Sequence, residues 1–473
     1  MDSHANAASG GKAEGMLSVL FDRLKGAMAG RIAIAFGWTA FGTVLSQIIR
    51  LVTSLIMTRL LVPEMFGTMS IVLSVQITIA LFLDIGLRPA IIQSPRGNDP
   101  VFLNTAWTVQ IIRGFLIWVF IAVLASLLPT IVANGWVAAD SAWAAPELPW
   151  VLIIASFAGV ITGFDSTNII TAERKLALKR LFLVRLSGQL ISFFVMVLIG
   201  WWTGSIWSLV IGVLITSLAV TALSHTALPG IRNRLMWNWQ ALRELIKYGS
   251  WVFLSSAAFI VATQFDRIFL AGAVDSATLG FYSIALNLAM IVELLVGTCV
   301  SGIFLAALSE AHRQSHQTML AKYFSLKWPL DIGVLFVAGG VFASGPILID
   351  ILFDDRYQAA GSILQTLALM LIFTRYTLTT AAYMAMGRPD LMAGVNLIRC
   401  FALIGMLFTA YHFFGFVGAL YAIALHMVLP TLVMFVLNHS RGLNNFKLEA
   451  VVLLAWPIGF GLGLIFNAFV GLF

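Results

Sequence analysis

FLNTAWTVQIIRGFLIWVFIAVLASLL, residues 102–128, carries one charged side chain, Arg113. A bilayer core about 30 Å thick is crossed by roughly 20 apolar residues of helix, and this stretch is long enough. Transmembrane β-strands alternate polar and apolar side chains over about ten residues, whereas this run is longer and does not alternate. Working outward, stretches of the same kind lie near 33–60, 66–92, 147–171, 181–202, 205–227, 248–272, 279–306, 327–353, 359–384, 391–413, 416–437 and 449–471. The last is the weakest as a straight helix, because Pro457 and Gly459, Gly461 and Gly463 interrupt it. The whole chain has the same character. Apolar residues make up 60% and charged residues 10%, against about 25% charged in ordinary globular proteins, and mean hydropathy is +0.96. A cytosolic enzyme, a disordered chain and a secreted disulfide scaffold are excluded. The expected fold is an all-α polytopic integral membrane protein with about thirteen spans.

The net charge of +7 follows from the accumulation of Lys and Arg in cytoplasmic loops, and calls for no nucleic-acid partner. With the N-terminus placed inside, the inner segments collect Arg96; Arg174, Lys175, Lys179 and Arg180; Arg232, Arg234, Arg243 and Lys247; and Arg313, Lys322 and Lys327, among others. The outer segments hold only Arg59 and Arg356. Cys299 and Cys400 sit in apolar runs without metal-ligand spacing. His312 and His316 share a helix face but lack a third ligand, and read as a solvated face. Nucleotide-loop, HExxH and GxSxG motifs are absent, so no catalytic residues, metal or cofactor are expected.

Sliding the chain on itself by 213 positions places Trp38 on Trp251, Gly67 on Gly280 and Ser70 on Ser283, so that FGTMSIVL (66–73) echoes LGFYSIAL (279–286). Both copies begin with an inside-to-outside helix, so the repeat is parallel. The expected organisation is a cytoplasmic tail (1–30) with an interfacial helix at 16–28, and an N-terminal six-helix lobe (31–227). A cytoplasmic linker (228–247) leads to a C-terminal six-helix lobe (248–437), followed by a cytoplasmic loop and one extra C-terminal helix (438–473). Transporters built this way place their site between the repeats.

TRLLVPEMFGTMSIVLSVQITIALFLDIGLRPAIIQS (58–94) and FDRIFLAGAVDSATLGFYSIALNLA (265–289) resemble helices of the bacterial polysaccharide transporters, the Wzx-like lipid-linked oligosaccharide flippases of the MOP superfamily. GSIWSLVIGVLI (204–215), WNWQALRELIKYGSWVFLSS (237–256) and AMGRPDLM (385–392) fit the same pattern, and the resemblance runs from about 33 to 437. It implies two six-helix lobes around a central cavity. It also implies flipping of undecaprenyl-diphosphate oligosaccharides by alternating access in the bacterial inner membrane, for exopolysaccharide, O-antigen or lipopolysaccharide synthesis. A polysaccharide polymerase or export machinery would then be a partner. A thirteenth helix departs from the plain twelve-helix plan.

Charged residues inside the spans are the candidate site, since each costs about 2.5–3.5 kcal/mol at a helix centre on insertion scales. Arg50, Arg113, Arg375 and Arg399 lie deep; Arg88, Arg185 and Arg267 are the remaining basic residues. Arginine suits a lipid diphosphate because its planar fork binds two oxygens and stays charged. Arg88 follows Asp84 by four positions, so an ion pair along one helix face competes with cargo contact. Arg185, near a span end, reads as snorkelling to the interface. Asp84, Asp165, Asp266 and Glu293 are candidates for H+ or Na+ coupling, and Asp331 and Asp350 read as interfacial. A cation-coupled multidrug exporter is the alternative, and it predicts an acidic cavity. A membrane-embedded glycosyltransferase or ligase fits less well, because the longest outer loop, 129–146, is short.

Overall fold

The computed structural model describes residues 37–84 and 86–471, with 247–262 as backbone only. The expected tail helix at 16–28 and the side chain of Trp251 lie outside the described residues. Every regular element among them is helical. Ten helices are long and apolar enough to cross a bilayer, or eleven if one bent pair counts as a single span.

In the first half of the chain, α1 (Gly37–Leu60) and α2 (Pro63–Phe82) form a tight antiparallel hairpin. They are followed by α3 (Leu87–Gln93), α4 (Pro100–Ala133), α5 (Leu148–Ser156), α6 (Ala158–Gly163), α7 (Asn168–Arg174), α8 (Leu178–Thr203) and α9 (Trp207–Thr226). The second half contains α10 (Trp239–Ala273), α11 (Ser276–Cys299), α12 (Leu305–Gln314), α13 (His316–Leu352), α14 (Ala359–Leu367), α15 (Leu371–Thr374) and α16 (Thr377–Ala385). It ends with α17 (Pro389–Leu425), α18 (Val428–His439), α19 (Phe446–Val452) and α20 (Ala455–Val470). Pro63 and Pro100 start α2 and α4, where their missing N–H would have no helical partner. Asp99, Asn238, Asp275 and Ser315 cap α4, α10, α11 and α13.

Several hydrophobic stretches that read as single spans are broken. Gly415 is not one of these breaks: with a φ of 59°, which suits a residue without Cβ, it turns the chain between the two stretches read as separate spans, 391–413 and 416–437. A Cβ on Gly418 would fall onto the Ala410 carbonyl, which a continuous helix would hold about 12 Å away. The stretch expected at 147–171 bends by 63° between Gly163 and Asn168. Its freed backbone groups are met by side chains, as burial requires. Gln110 donates to the carbonyls of Thr162 and Gly163 (3.1 and 3.2 Å), Trp107 donates to that of Phe164, and the Ser166 amide donates to Ser224.

The two halves meet at the α1–α2 end through a reciprocal contact of α2 with α11. A Cβ on Gly67 would overlap the Ser276 carbonyl, and one on Gly280 would overlap the Pro63 carbonyl. These are the glycines that the repeat aligns. Around them, the Tyr357 hydroxyl donates to the Leu61 carbonyl at the end of α1 (2.8 Å), and the Ala142 amide donates to the Val274 carbonyl at the end of α10 (2.8 Å). Tyr357 is fully buried beside Phe66 of α2 and Phe281 of α11.

The segment joining the halves is fastened to the first. Asn168 exchanges hydrogen bonds with the backbone of Ile231, Asn233 bonds Ser166 and Thr167, and the amides of Arg234 and Met236 donate to Asn104 and Thr108. Glu244, in the second turn of α10, then accepts from Ser94 (2.6 Å) and pairs with Arg96. Arg96 also bonds Asp99, and that bond holds the Asp99 carboxyl below the usual carboxylate range.

α20 packs on α13 through a second glycine pair, since a Cβ on Gly339 would strike the Trp456 carbonyl and one on Gly459 the Phe336 carbonyl. α19 adds charge. Lys327 and Asp331 of α13 pair at 2.6 Å. Glu449 of α19 reaches Lys327 at 3.2 Å and Arg375 at 2.8 Å, and Arg375 reaches Asp331 at 3.3 Å. Lys327, Asp331 and Arg375 are each at most 4% exposed. The cluster corrects one expectation: Lys327 is not a loop residue; Asp331, read as interfacial, is enclosed by protein. Both lie inside α13, where each charge is tolerated because its partners are there.

Gly67→Val or Gly280→Val is expected to push α2 off α11, at about 1–3 kcal/mol of overpacking, lowering the thermal midpoint in detergent. Gly461→Ala, with open space around it, should leave the midpoint where it is. Glu449→Gln strips one anion from a buried cluster and should cost about 3–5 kcal/mol. Lys327→Met combined with Glu449→Leu keeps the Asp331–Arg375 pair and should recover most of that loss in the same melt.

Candidate functional site

Beyond the Gly67–Gly280 contact, on the side away from the α1–α2 turn, lies a cavity of about 620 Å³. α1 contributes Gln47, Arg50 and Ser54; α10 contributes Asp266 and Arg267; and α11 contributes a face from Ile284 to Gly297 that includes Glu293. Arg399 comes from α17 and His426 from the turn between α17 and α18. A π-helical stretch, Val300–Phe304, continues α11 into α12 and presents Ser301 to the same space.

Five of the sequence candidates therefore converge: Arg50, Arg267, Arg399, Asp266 and Glu293. Asp266 and Arg267, adjacent on one helix, find separate partners. The Tyr282 hydroxyl donates to Asp266, and Arg267 donates to Gln264 (3.1 Å) and lies 4.0 Å from the Met290 sulfur. Arg50 is exposed to the cavity and makes no ion pair or hydrogen bond among the described residues. Glu293 likewise has no ion pair among them. Arg399 donates from Nε to His426 Nε2 (3.2 Å), while His426 Nδ1 bonds the Ile423 carbonyl (2.7 Å). With three arginines against two carboxylates, one of them hydrogen-bonded by a tyrosine, the cavity suits an anionic group.

Arg113, Arg88, Asp84 and Asp165 gather elsewhere, in a cavity of about 490 Å³ lined by α2, α3, α4, α6 and α9. The ion pair of Asp84 with Arg88 that helical spacing left open beside cargo contact does not form. The helix stops at Leu83 and Gly86 turns with φ 63°, so the two residues belong to different helices. Asp84 sits 3.5 Å from Arg113, which also donates to the Ala80 carbonyl (2.6 Å). Arg88 pairs instead with Glu173 at 2.6 Å. Arg185, expected to snorkel, shares that carboxylate at 3.2 Å. Asp165 lies in the α6–α7 break and accepts from Thr221 (2.5 Å).

Arg375 reaches neither cavity. It is enclosed in the Lys327–Asp331–Glu449 cluster, so its charge is spent on the attachment of α19. His426 went unnoticed in the sequence, because a lone histidine in an apolar run has no motif. The usable signal is the Arg399–His426 contact, and that exists only once α17 has folded back at Gly415.

The sequence pattern of the family described as "Polysaccharide biosynthesis protein" matches residues 56–361, well over half of the chain. A relative, the lipopolysaccharide biosynthesis protein WzxC of Escherichia coli (strain K12), is 18% identical over 406 residues, covering 84% of this chain and 79% of that protein. Among solved structures, the lipid II flippase MurJ in an inward closed conformation superposes with a TM-score of 0.68 at 16% identity, covering 90% of this chain and 92% of MurJ. An inward-facing multidrug resistance MATE family transporter of the MOP superfamily gives 0.63 at 13% identity, covering 85% of this chain and 98% of the transporter. The chain is a multi-pass membrane protein with the fold shared by those MOP-superfamily structures, and it belongs to the polysaccharide biosynthesis protein family.

Proposed function

We propose that the chain is a flippase that moves a lipid-linked oligosaccharide, on undecaprenyl diphosphate, across the bacterial inner membrane by alternating access. The observation that carries this reading is the convergence of Arg50, Arg267 and Arg399 on one cavity inside the bundle. A diphosphate leaving the headgroup region loses its water, and planar guanidinium groups replace that solvation best. The same balance of charge speaks against a cationic drug as cargo.

In this reading the spans number thirteen. α1, α2–α3, α4, α5–α7, α8 and α9 make one six-helix lobe. α10, α11–α12, α13, α14–α16 and the two arms on either side of Gly415 make the second. α19–α20 is the extra helix. The lobes are related by an axis along the membrane normal, which is consistent with the reciprocal contact of Gly67 and Gly280. The N-terminus is cytoplasmic, as the distribution of Lys and Arg supports. The α1–α2 end is then periplasmic, and the contacts of Tyr357 and Ala142 hold it shut. The cargo enters from the inner leaflet with its lipid tail in the bilayer and its sugars in the wet cavity. The chain performs no covalent chemistry in this cycle; a polymerase or export machinery consumes its product.

Cells lacking the gene should accumulate complete undecaprenyl-diphosphate repeat units that a periplasmic probe cannot reach. Arg50→Gln and Arg399→Gln should each slow appearance on the outer leaflet by roughly 10- to 100-fold, the worth of a charge-assisted bond, at normal protein levels. Arg375→Gln should act by lowering the amount of folded protein instead. Units that reach the outer leaflet normally in the deletion strain would sink this reading.

A further inference from the structure

His426 is 4% exposed, sits where the chain breaks between α17 and α18, and lines the cavity. Both ring nitrogens are engaged in a way that fixes its charge. Nδ1 faces the Ile423 carbonyl at 2.7 Å, so Nδ1 carries a hydrogen and donates it. Nε2 faces the Nε–H of Arg399 at 3.2 Å, so Nε2 offers its lone pair. A ring with one donor and one acceptor is the neutral imidazole. A second proton on Nε2 would place a hydrogen and a positive charge where the Arg399 N–H now points. The protonated ring and the Arg399 bond exclude one another.

We propose that His426 is the proton-binding site of the transport cycle, and that it acts by holding or releasing Arg399. This inference rests on the anionic-cargo reading above. A diphosphate that draws Arg399 toward the cavity leaves Nε2 free to take a proton. The imidazolium then holds Arg399 off by like charge and turns a second N–H toward the anion. Anion and proton therefore favour each other's binding, and linkage makes the effect equal in both directions. The remaining charged groups lining the cavity are Arg50 on α1, Asp266 and Arg267 on α10, and Glu293 on α11; Cys400 follows Arg399 on α17. Asp266 is already bonded by Tyr282, so Glu293 is the rival proton acceptor.

The test uses the full-length protein in detergent and farnesyl diphosphate as the probe. Calorimetric titration runs from about pH 8 to about pH 5.5, the range in which histidine changes charge, in buffers of different ionisation enthalpy to count protons. The probe's own titration is common to all variants, so the comparison between them carries the result. Wild type is expected to bind about 10-fold more tightly at the acid end than His426→Gln does relative to its own value at the alkaline end, and to take up an extra proton on binding. Glu293→Gln should keep that excess. A pH response in His426→Gln equal to wild type, or one lost in Glu293→Gln, overturns the assignment while leaving the anionic-cargo reading intact. Absence of binding by wild type at every pH, with the thermal melt showing folded protein, overturns both.

Discussion

Two carbonyl groups lie where side chains would otherwise be. Ser276 O rests on Gly67 and Pro63 O rests on Gly280, so α2 and α11 touch backbone to backbone. In lipid there is no hydrophobic drive to bring helices together, and close approach of small residues supplies dispersion contact instead. Each helix gives and receives the same kind of contact at glycines that fall on one another at an offset of 213, as in an isologous dimer interface. The buried cluster around Tyr357 and the bond from Ala142 to Val274 can form only when this seam is closed.

Charge is handled in two ways. Arg50, Arg267 and Arg399 keep contact with a cavity, and Arg50 has no protein partner among the described residues. Arg375, Lys327, Asp331 and Glu449 neutralise one another where the nearest water is excluded. Burying four charges is costly unless geometry and hydrogen bonds are good. Here Tyr376 helps, donating toward Glu449 at 3.5 Å and lying with its ring 4.7 Å from the Arg375 guanidinium carbon. The same residue type at similar apparent depth thus serves attachment in one helix and ligand binding, as we propose, in another.

The fold class was legible because span length is a local property: 102–128 must cross a bilayer whatever surrounds it. Gly67 and Gly280, which the offset of 213 aligns, were visible in the sequence, and the structure puts them in contact across α2 and α11. The breaks at Gly86 and at Phe164–Thr167 were not, because an apolar run looks continuous whether or not its backbone turns. Five of the charged residues singled out by their cost in lipid line one cavity. The same cost could not separate cavity contact from acid pairing at Arg375, because its partners lie 44 positions earlier at Asp331 and still further along the chain at Glu449. Helical spacing left an Asp84–Arg88 pair open beside cargo contact, and the pair does not form because the helix ends at Leu83. His426 costs little in lipid when neutral, so a search for expensive residues passes over it.

The order in which the chain is made gives the four-charge cluster another meaning. Lys327, Asp331 and Arg375 reach the membrane about seventy residues of synthesis before Glu449. During that interval Lys327 and Arg375 stand against Asp331 alone, so the unfinished cluster carries one cation too many. Arrival of α19 removes the excess. A chain that ended before residue 449 would keep that extra cation without the carboxylate that reaches both Lys327 and Arg375.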